Sequence, residues 1–387
     1  MRPLHILKYM LVLCLLGNVL SCEDSSVKVE MLAYDPISDE MIYKVNTVET
    51  LADLGKLEGR ATRLRGGVSI ILDYLQEEVR WDRVGTPVAF SAVRIDDVYY
   101  PTDFDSLAMI SVYYNIEQAM LFFESIGMPT GYLGRLDTYY RADVIEKMDP
   151  YIPEPEESVD NAFYLSISET DRGFYILPFA VEEGLINGVP LSMNPGVIAH
   201  EYSHAVFQES VYDKLPGYGI YMNEVNYGYL WALNEGIADL FAVALTGDPN
   251  FINPSISFRG VSRDASDVII YDSSFDRNII NASQESFDPY QIGAFFSAAV
   301  YEMARRIQGL AADGPEIPKK GYRHLVAKAT YNAIHNLGKQ GAGQFEPADF
   351  FSYFVTQFEP GQASIICGVL IERFSIYYSE VDGCSAI

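Results

Sequence analysis

The stretch Pro195-Gly196-Val197-Ile198-Ala199-His200-Glu201-Tyr202-Ser203-His204-Ala205-Val206-Phe207 decides how the rest of the chain is read. Residues four apart share one face of an α-helix, so His200 and His204 present two imidazoles to one point. Two neutral imidazoles at this spacing suit Zn²⁺, which at a catalytic site takes three protein ligands and keeps one position open. Glu201 lies one step round the helix, where it can act as general base on a water. Asn194 is a candidate N-cap, and Pro195 and Gly196 mark a helix start. Val197, Ile198, Ala205, Val206 and Phe207 give the core a surface with which to hold the helix rigid. The chain has only five His in 387 residues, so a pair arranged around a Glu is informative.

A second stretch complements the first: Tyr229-Leu230-Trp231-Ala232-Leu233-Asn234-Glu235-Gly236-Ile237-Ala238-Asp239-Leu240-Phe241-Ala242-Val243-Ala244-Leu245. It reads as a buried helix ending near Gly247. Glu235 and Asp239 are four apart and project together. A carboxylate turned inward from an apolar helix is costly unless it is paired or bound to a metal. Glu235 is therefore the expected third ligand. Asp239, with Asn234 on the same helix, is expected to support the ligand imidazoles from behind by accepting a ring N–H and setting its tautomer. Glu224 is a rival acid in a Gly- and Tyr-rich segment that reads as a loop.

On these two stretches the chain resembles the thermolysin-like zinc metallopeptidases, whose third ligand is a Glu in an N-E-x-x-[SA]-D pattern. The resemblance runs from about residue 98 to about residue 310 and is concentrated at residues 200–207 and 234–241. It implies a two-lobed α+β fold, with a mixed N-terminal lobe carrying an edge strand, a helical C-terminal lobe, and the zinc helix between them. It implies Zn²⁺ on His200, His204 and Glu235, with Glu201 as base. Asn161-Ala162-Phe163-Tyr164 resembles the family's N-A-F-W edge strand, so Asn161 and Ala162 are the expected substrate-binding positions, through backbone pairing with an extended peptide. Ser257-Phe258-Arg259-Gly260-Val261-Ser262 resembles the stretch whose Arg binds the substrate carbonyl, which gives that role to Arg259. Tyr290-Gln291-Ile292-Gly293 resembles the family's H-x-x-G helix, whose His donates to the oxyanion. Here the position holds Tyr290. A phenol can donate to an oxyanion but is not a cation near neutral pH. His324 and His335 are alternative donors from elsewhere. The family also supplies a Tyr from the segment between the two metal stretches, where Tyr212, Tyr218 and Tyr221 are candidates.

The length is enough for two or three domains. The chain is 49% apolar and 21% charged, a globular composition. A formal net charge of −26 argues against nucleic acid as a partner, which would require a basic patch, and favours solubility. The 28 Tyr suit surfaces that contact polar ligands. The abundance of acids adds Ca²⁺ as a second candidate cation, although the chain has no EF-hand loop.

Arg2, His5 and Lys8 lead into an apolar run over residues 9–16 that is too short to span a bilayer. Residues 1–21 therefore read as a secretory signal peptide. Leu16-Gly17-Asn18-Val19-Leu20-Ser21-Cys22 resembles a bacterial lipobox, which implies cleavage before Cys22 and lipid on its thiol. The expectation is an exported protein of the bacterial cell envelope, anchored to a membrane (the outer membrane or cell surface) through Cys22. Cys14 leaves with the leader. Cys367 and Cys384 remain and are expected to pair in an oxidising compartment.

The expected organisation is a signal peptide at 1–21, a tether and small N-terminal segment at 22–97, an α+β lobe ending in the zinc helix at 98–208, and a helical lobe at 209–387. Residues 27–34 and 91–95 read as strands, and 68–79 as a short amphipathic helix. A helix is expected over 103–126, closed by Gly127 and Pro129. Residues 148–159 read as a Pro-rich surface loop, and 161–168 and 173–180 as two strands. Helices are expected near 322–336, 347–357 and 364–378. The expected activity is zinc-dependent endopeptidase, with Glu201, Tyr290 and Arg259 as catalytic residues acting on peptide or protein substrates. An aminopeptidase of the same metal class is a variant of that reading. The alternative, motivated by Tyr290 and the Tyr-rich segment, is a lipoprotein of peptidase fold with weak or no turnover that binds peptides or proteins.

Overall fold

The computed structural model describes residues 26–384 apart from 36–39, 74–77, 148–155, 159–161, 167–171, 177–187, 216–223, 257–261, 281–287 and 341–344. The leader with Cys14 and Cys22, and also Asn161, Tyr218, Tyr221 and Arg259, lie outside the described residues. The fold is mixed α+β, with several sheets and, among the described residues, eight α-helices. The helices are α1 (Phe104–Ile126), α2 (Pro195–Ser210), α3 (Glu224–Thr246), α4 (Ser273–Ile280), α5 (Pro289–Ile307), α6 (Lys320–Gln340), α7 (Pro347–Val355) and α8 (Pro360–Arg373). Every described strand precedes α2. No helix among the described residues is long and apolar enough to cross a membrane.

The largest sheet runs in the order Ala162–Ser166, Arg172–Ile176, Leu136–Tyr140, Thr62–Gly66, Glu58–Gly59, Leu51–Asp53. Ala162–Ser166 is its edge strand, antiparallel to Arg172–Ile176 with Ala162 opposite Ile176. Both faces of this strand are used. Phe163 and Leu165 pack on a small cluster around Tyr139 and Tyr175, while Tyr164 packs on the main core. A second sheet holds Glu40–Val48, Val27–Asp35, Val98–Pro101 and Ala92–Ile95. Lys28 lies opposite Val98 there in a parallel pair, so the boundary at residue 97 falls between two paired strands of one sheet.

Three local expectations need correction. The described residues of 68–79 are not helical; Ser69–Asp73 and Glu78–Arg83 are antiparallel strands. The β-branched run favours a pleated surface, and Ser69–Asp73 gains a parallel partner in Asp143–Lys147. Within 148–159, Glu156–Ser158 is a strand on the other side of Asp143–Lys147. Helix α3 starts at Glu224, about five residues before the expected start, so Glu224 is helical. Its Gly and Tyr residues weaken helix propensity, but packing of a long apolar face overrides propensity.

The helices assemble the site. Asp103 caps α1 by accepting from the Ser106 N–H at 2.7 Å, and Gly127 ends it with φ +119. Buried Phe123 of α1 packs on Tyr202 of α2 and Phe241 of α3, with ring centroids 5.5 and 4.7 Å apart. A fully buried Phe contributes roughly 2–3 kcal/mol. Where α3 crosses α5, a Cβ on Gly236 would sit 2.2 Å from the Gly293 carbonyl oxygen. Only glycine lets the two backbones approach that closely, and this contact brings Glu235 and Tyr290 to the same end of the crossing. Cys367 of α8 and Cys384 form a disulfide with Cα atoms 5.5 Å apart.

Candidate metal centre

Helix α2 is anchored at its start. Asn194 accepts from the Gly196 and Val197 N–H groups at 2.9 and 3.3 Å. Its side-chain amide donates to the Phe251 carbonyl and Ser255 Oγ, both at 2.9 Å. With the helix so held, His200 and Glu201 are buried and His204 nearly so. The two Nε2 atoms lie 3.0 Å apart. Behind them, His200 Nδ1 is 2.8 Å from Asp239 Oδ1, and His204 Nδ1 is 3.0 Å from Asn234 Oδ1. An acceptor on each Nδ1 favours a proton there. Both Nε2 atoms then face one point, where either a proton or a metal ion must sit.

Glu235 completes the donor set. Its Oε2 lies 3.4 Å from His200 Nε2 and 3.6 Å from His204 Nε2, is buried, and forms no hydrogen bond among the described residues. Its Oε1 faces the Trp231 indole N–H at 3.4 Å. Two imidazole nitrogens and an unsatisfied buried carboxylate oxygen suit Zn²⁺. Ligand atoms of His200, Glu201 and His204 also fall within 4.8 Å of one another. Glu201 is the less apt ligand, because its Oε2 already accepts the Tyr164 backbone N–H at 2.8 Å. Glu235 has the idle oxygen.

Electrostatics separate the two acids. Burial pushes the Glu201 carboxyl up to about 7; His200 opposes this and the charge of Glu235 reinforces it. Glu235 stays below the usual carboxylate range despite burial, because His204 and His200 stabilise its charge. Burial disfavours the His200 cation, but the nearby carboxylates of Asp239 and Glu235 prevail and push it up to about 9. Burial holds His204 below its ordinary value. The metal-free site thus keeps a proton on His200 that a metal ion would displace.

A residue outside the sequence expectations occupies the centre of the site. Arg263 is 6% exposed. Its Nε donates to Asp239 Oδ2 at 3.0 Å and its Nη2 pairs with Asp239 Oδ1. Its guanidinium carbon lies 4.7 Å from the centroid of the Tyr290 ring. Arg259, the arginine expected at the cleft, lies four positions earlier and outside the described residues. No local periodicity marks position 263, so spacing alone could not find it. Tyr290, 38% exposed, stands in the first turn of α5, which Asp288 caps by accepting from the Tyr290 N–H at 2.9 Å. The charge of Glu235, then burial, raises the Tyr290 phenol above its ordinary value, so it remains an O–H donor.

These groups line one cleft of about 840 Å³. The strand Ala162–Ser166 forms one wall, and Val197, Phe251, Ile252 and Ile256 make an apolar floor beside His200. Because the Tyr164 N–H points at Glu201, alternation along the strand turns the backbone groups of Ala162 and Ser166 toward the cleft as well. Tyr212 also lines it. His324 and His335 do not. They sit on α6, the first with its ring 5.1 Å from Phe122 and the second against Tyr331 and Tyr132. No family model matches the chain, and no curated protein matches it.

Proposed function

We propose that the chain is a zinc-dependent peptidase with the two-lobed plan of the thermolysin-like enzymes, exported and lipid-anchored through Cys22. One observation carries the reading: two imidazole nitrogens and the idle Glu235 oxygen converge on one point, beside a buried acid, in a cleft walled by a sheet edge. Zn²⁺, when bound by His200, His204 and Glu235, would supply a Lewis acid and bring a water's pKa toward ~7. Ala162 and Ser166 pair with the backbone of an extended peptide, while Phe251 and Ile252 receive an apolar side chain. Glu201 accepts the attacking water's proton and returns it to the leaving nitrogen. Tyr290 donates its O–H to the carbonyl oxygen as that oxygen gains charge. Arg263 neutralises Asp239 and supports the Tyr290 ring.

The test is zinc content by mass spectrometry together with cleavage of denatured casein. The expected result is one zinc per chain, cleavage abolished by a chelator, and an inactive Glu201→Gln variant that still holds zinc. Full cleavage by Glu201→Gln would refute the assignment. A second reading, a peptide-binding lipoprotein without turnover, is favoured by the bond from the Tyr164 N–H to Glu201, which ties up the base and an edge donor together. Zinc-loaded protein that captures casein intact would establish that reading instead.

A further inference from the structure

A second cavity, of about 870 Å³, shares no lining residue with the cleft. Tyr202, on α2, lines it. Two residues from both His200 and His204, Tyr202 projects from the opposite side of the helix. Its ring is held against Phe123 and Phe174, with centroids 5.5 and 5.7 Å away. The side chain is 3% exposed, and its hydroxyl forms no hydrogen bond among the described residues. The hydroxyl opens on the cavity, where a polar atom of a ligand can meet it.

Each charged group of the lining has an opposite partner, Asp53 through Lys56 Nζ at 3.0 Å, a side chain that does not itself line the cavity. Arg60 Nη1 pairs with Glu124 Oε1 at 2.5 Å, and Arg135 Nη1 with Glu58 Oε1 at 2.7 Å. Met120 and Met128, 6% and 4% exposed, provide an apolar floor. A net anion would meet the acids, and a net cation the arginines. A molecule carrying both charges can replace each partner of an ion pair with its own opposite end.

We propose that this cavity binds a small zwitterion with an apolar side chain, an amino acid or dipeptide. The carboxylate meets Arg60, the ammonium Glu124, a polar backbone atom the Tyr202 hydroxyl, and the side chain the two methionines. The proposal goes beyond the peptidase reading and stands without it.

Calorimetric titration of the full chain with leucyl-leucine, zinc-loaded and chelator-stripped, tests it; stripping also prevents turnover of the probe. Leucyl-leucine should bind equally in both states, and its N-acetyl, C-amide form at least about tenfold more weakly, as expected for loss of charge-assisted hydrogen bonds. Tyr202→Phe should weaken binding by about fivefold or more without lowering the melting temperature, since the hydroxyl it removes has no partner to lose. Arg60→Gln should weaken the free dipeptide but not the capped one. Failure to bind, equal binding of the capped form, binding that requires zinc, or binding unchanged in Tyr202→Phe would each overturn the proposal. None of these outcomes depends on whether the cleft hydrolyses peptides.

Discussion

Helix α2 faces two cavities of similar size that differ in how their charges are balanced. Toward the cleft it shows His200, Glu201 and His204, and there a buried Glu235 oxygen is left idle and Glu201 is pushed up to about 7. On its other side it shows Tyr202, beside the pairs Arg60–Glu124 and Arg135–Glu58 and the Asp53 carboxylate that Lys56 balances. The first arrangement leaves a buried acceptor to be satisfied by a proton or a metal ion, because buried unsatisfied acceptors are costly. The second has its charges paired within the fold and presents one hydroxyl to the cavity. The contrast teaches that depth of burial does not identify a reactive site. Charge that the fold leaves unbalanced is the better sign.

The largest effect should come from Glu201→Gln, which sharpens the contrast by removing proton transfer alone. Peptide cleavage should fall by about a thousandfold, with zinc retained; a smaller drop than tenfold would break the view of Glu201 as base. Tyr290→Phe should lower kcat by about a hundredfold and leave KM nearly unchanged, as loss of an oxyanion donor does. Asp239→Asn should weaken zinc binding by about 10–100-fold, read by competition with a chromogenic chelator, while leucyl-leucine binding behind the helix stays the same.

Acidity gives the smallest and most graded test. In the metal-free protein, His200 and Glu201 lie above their unfolded values of 6.5 and 4.5. The folded state therefore holds more protons than the unfolded chain. The stability so contributed is full below those unfolded values. It is lost as pH rises through about 7 for Glu201 and about 9 for His200. The melting temperature of stripped protein should fall across that window, and Glu201→Gln should remove the lower step. Zinc displaces a proton, so its apparent affinity should rise over the same window. A flat melting profile in stripped protein would show that the cleft is no less balanced than the cavity behind it.

Much of this was legible in the chain because helices write themselves locally. The Asn194 cap, the four-residue spacing of His200 and His204, and that of Glu235 and Asp239 follow from helix geometry alone. The edge strand at Ala162–Ser166 was legible from alternation and resemblance. Residues 68–79 were not, since a short β-branched run fits either period until a partner strand is known. The early start of α3 was hidden under a composition that suggests a loop.

What the sequence alone determined is which groups share a helix face, because 3.6 residues per turn needs no neighbour to enforce it. Whether those faces meet was decided by tertiary structure. The 3.4 Å approach of Glu235 to His200, the docking of Arg263 between Asp239 and Tyr290, and the assembly of a cavity around Tyr202 all require segments far apart in the chain. Those distances depend on how side chains interlock between elements, as in the close crossing at Gly236 and Gly293, and no local pattern encodes that packing.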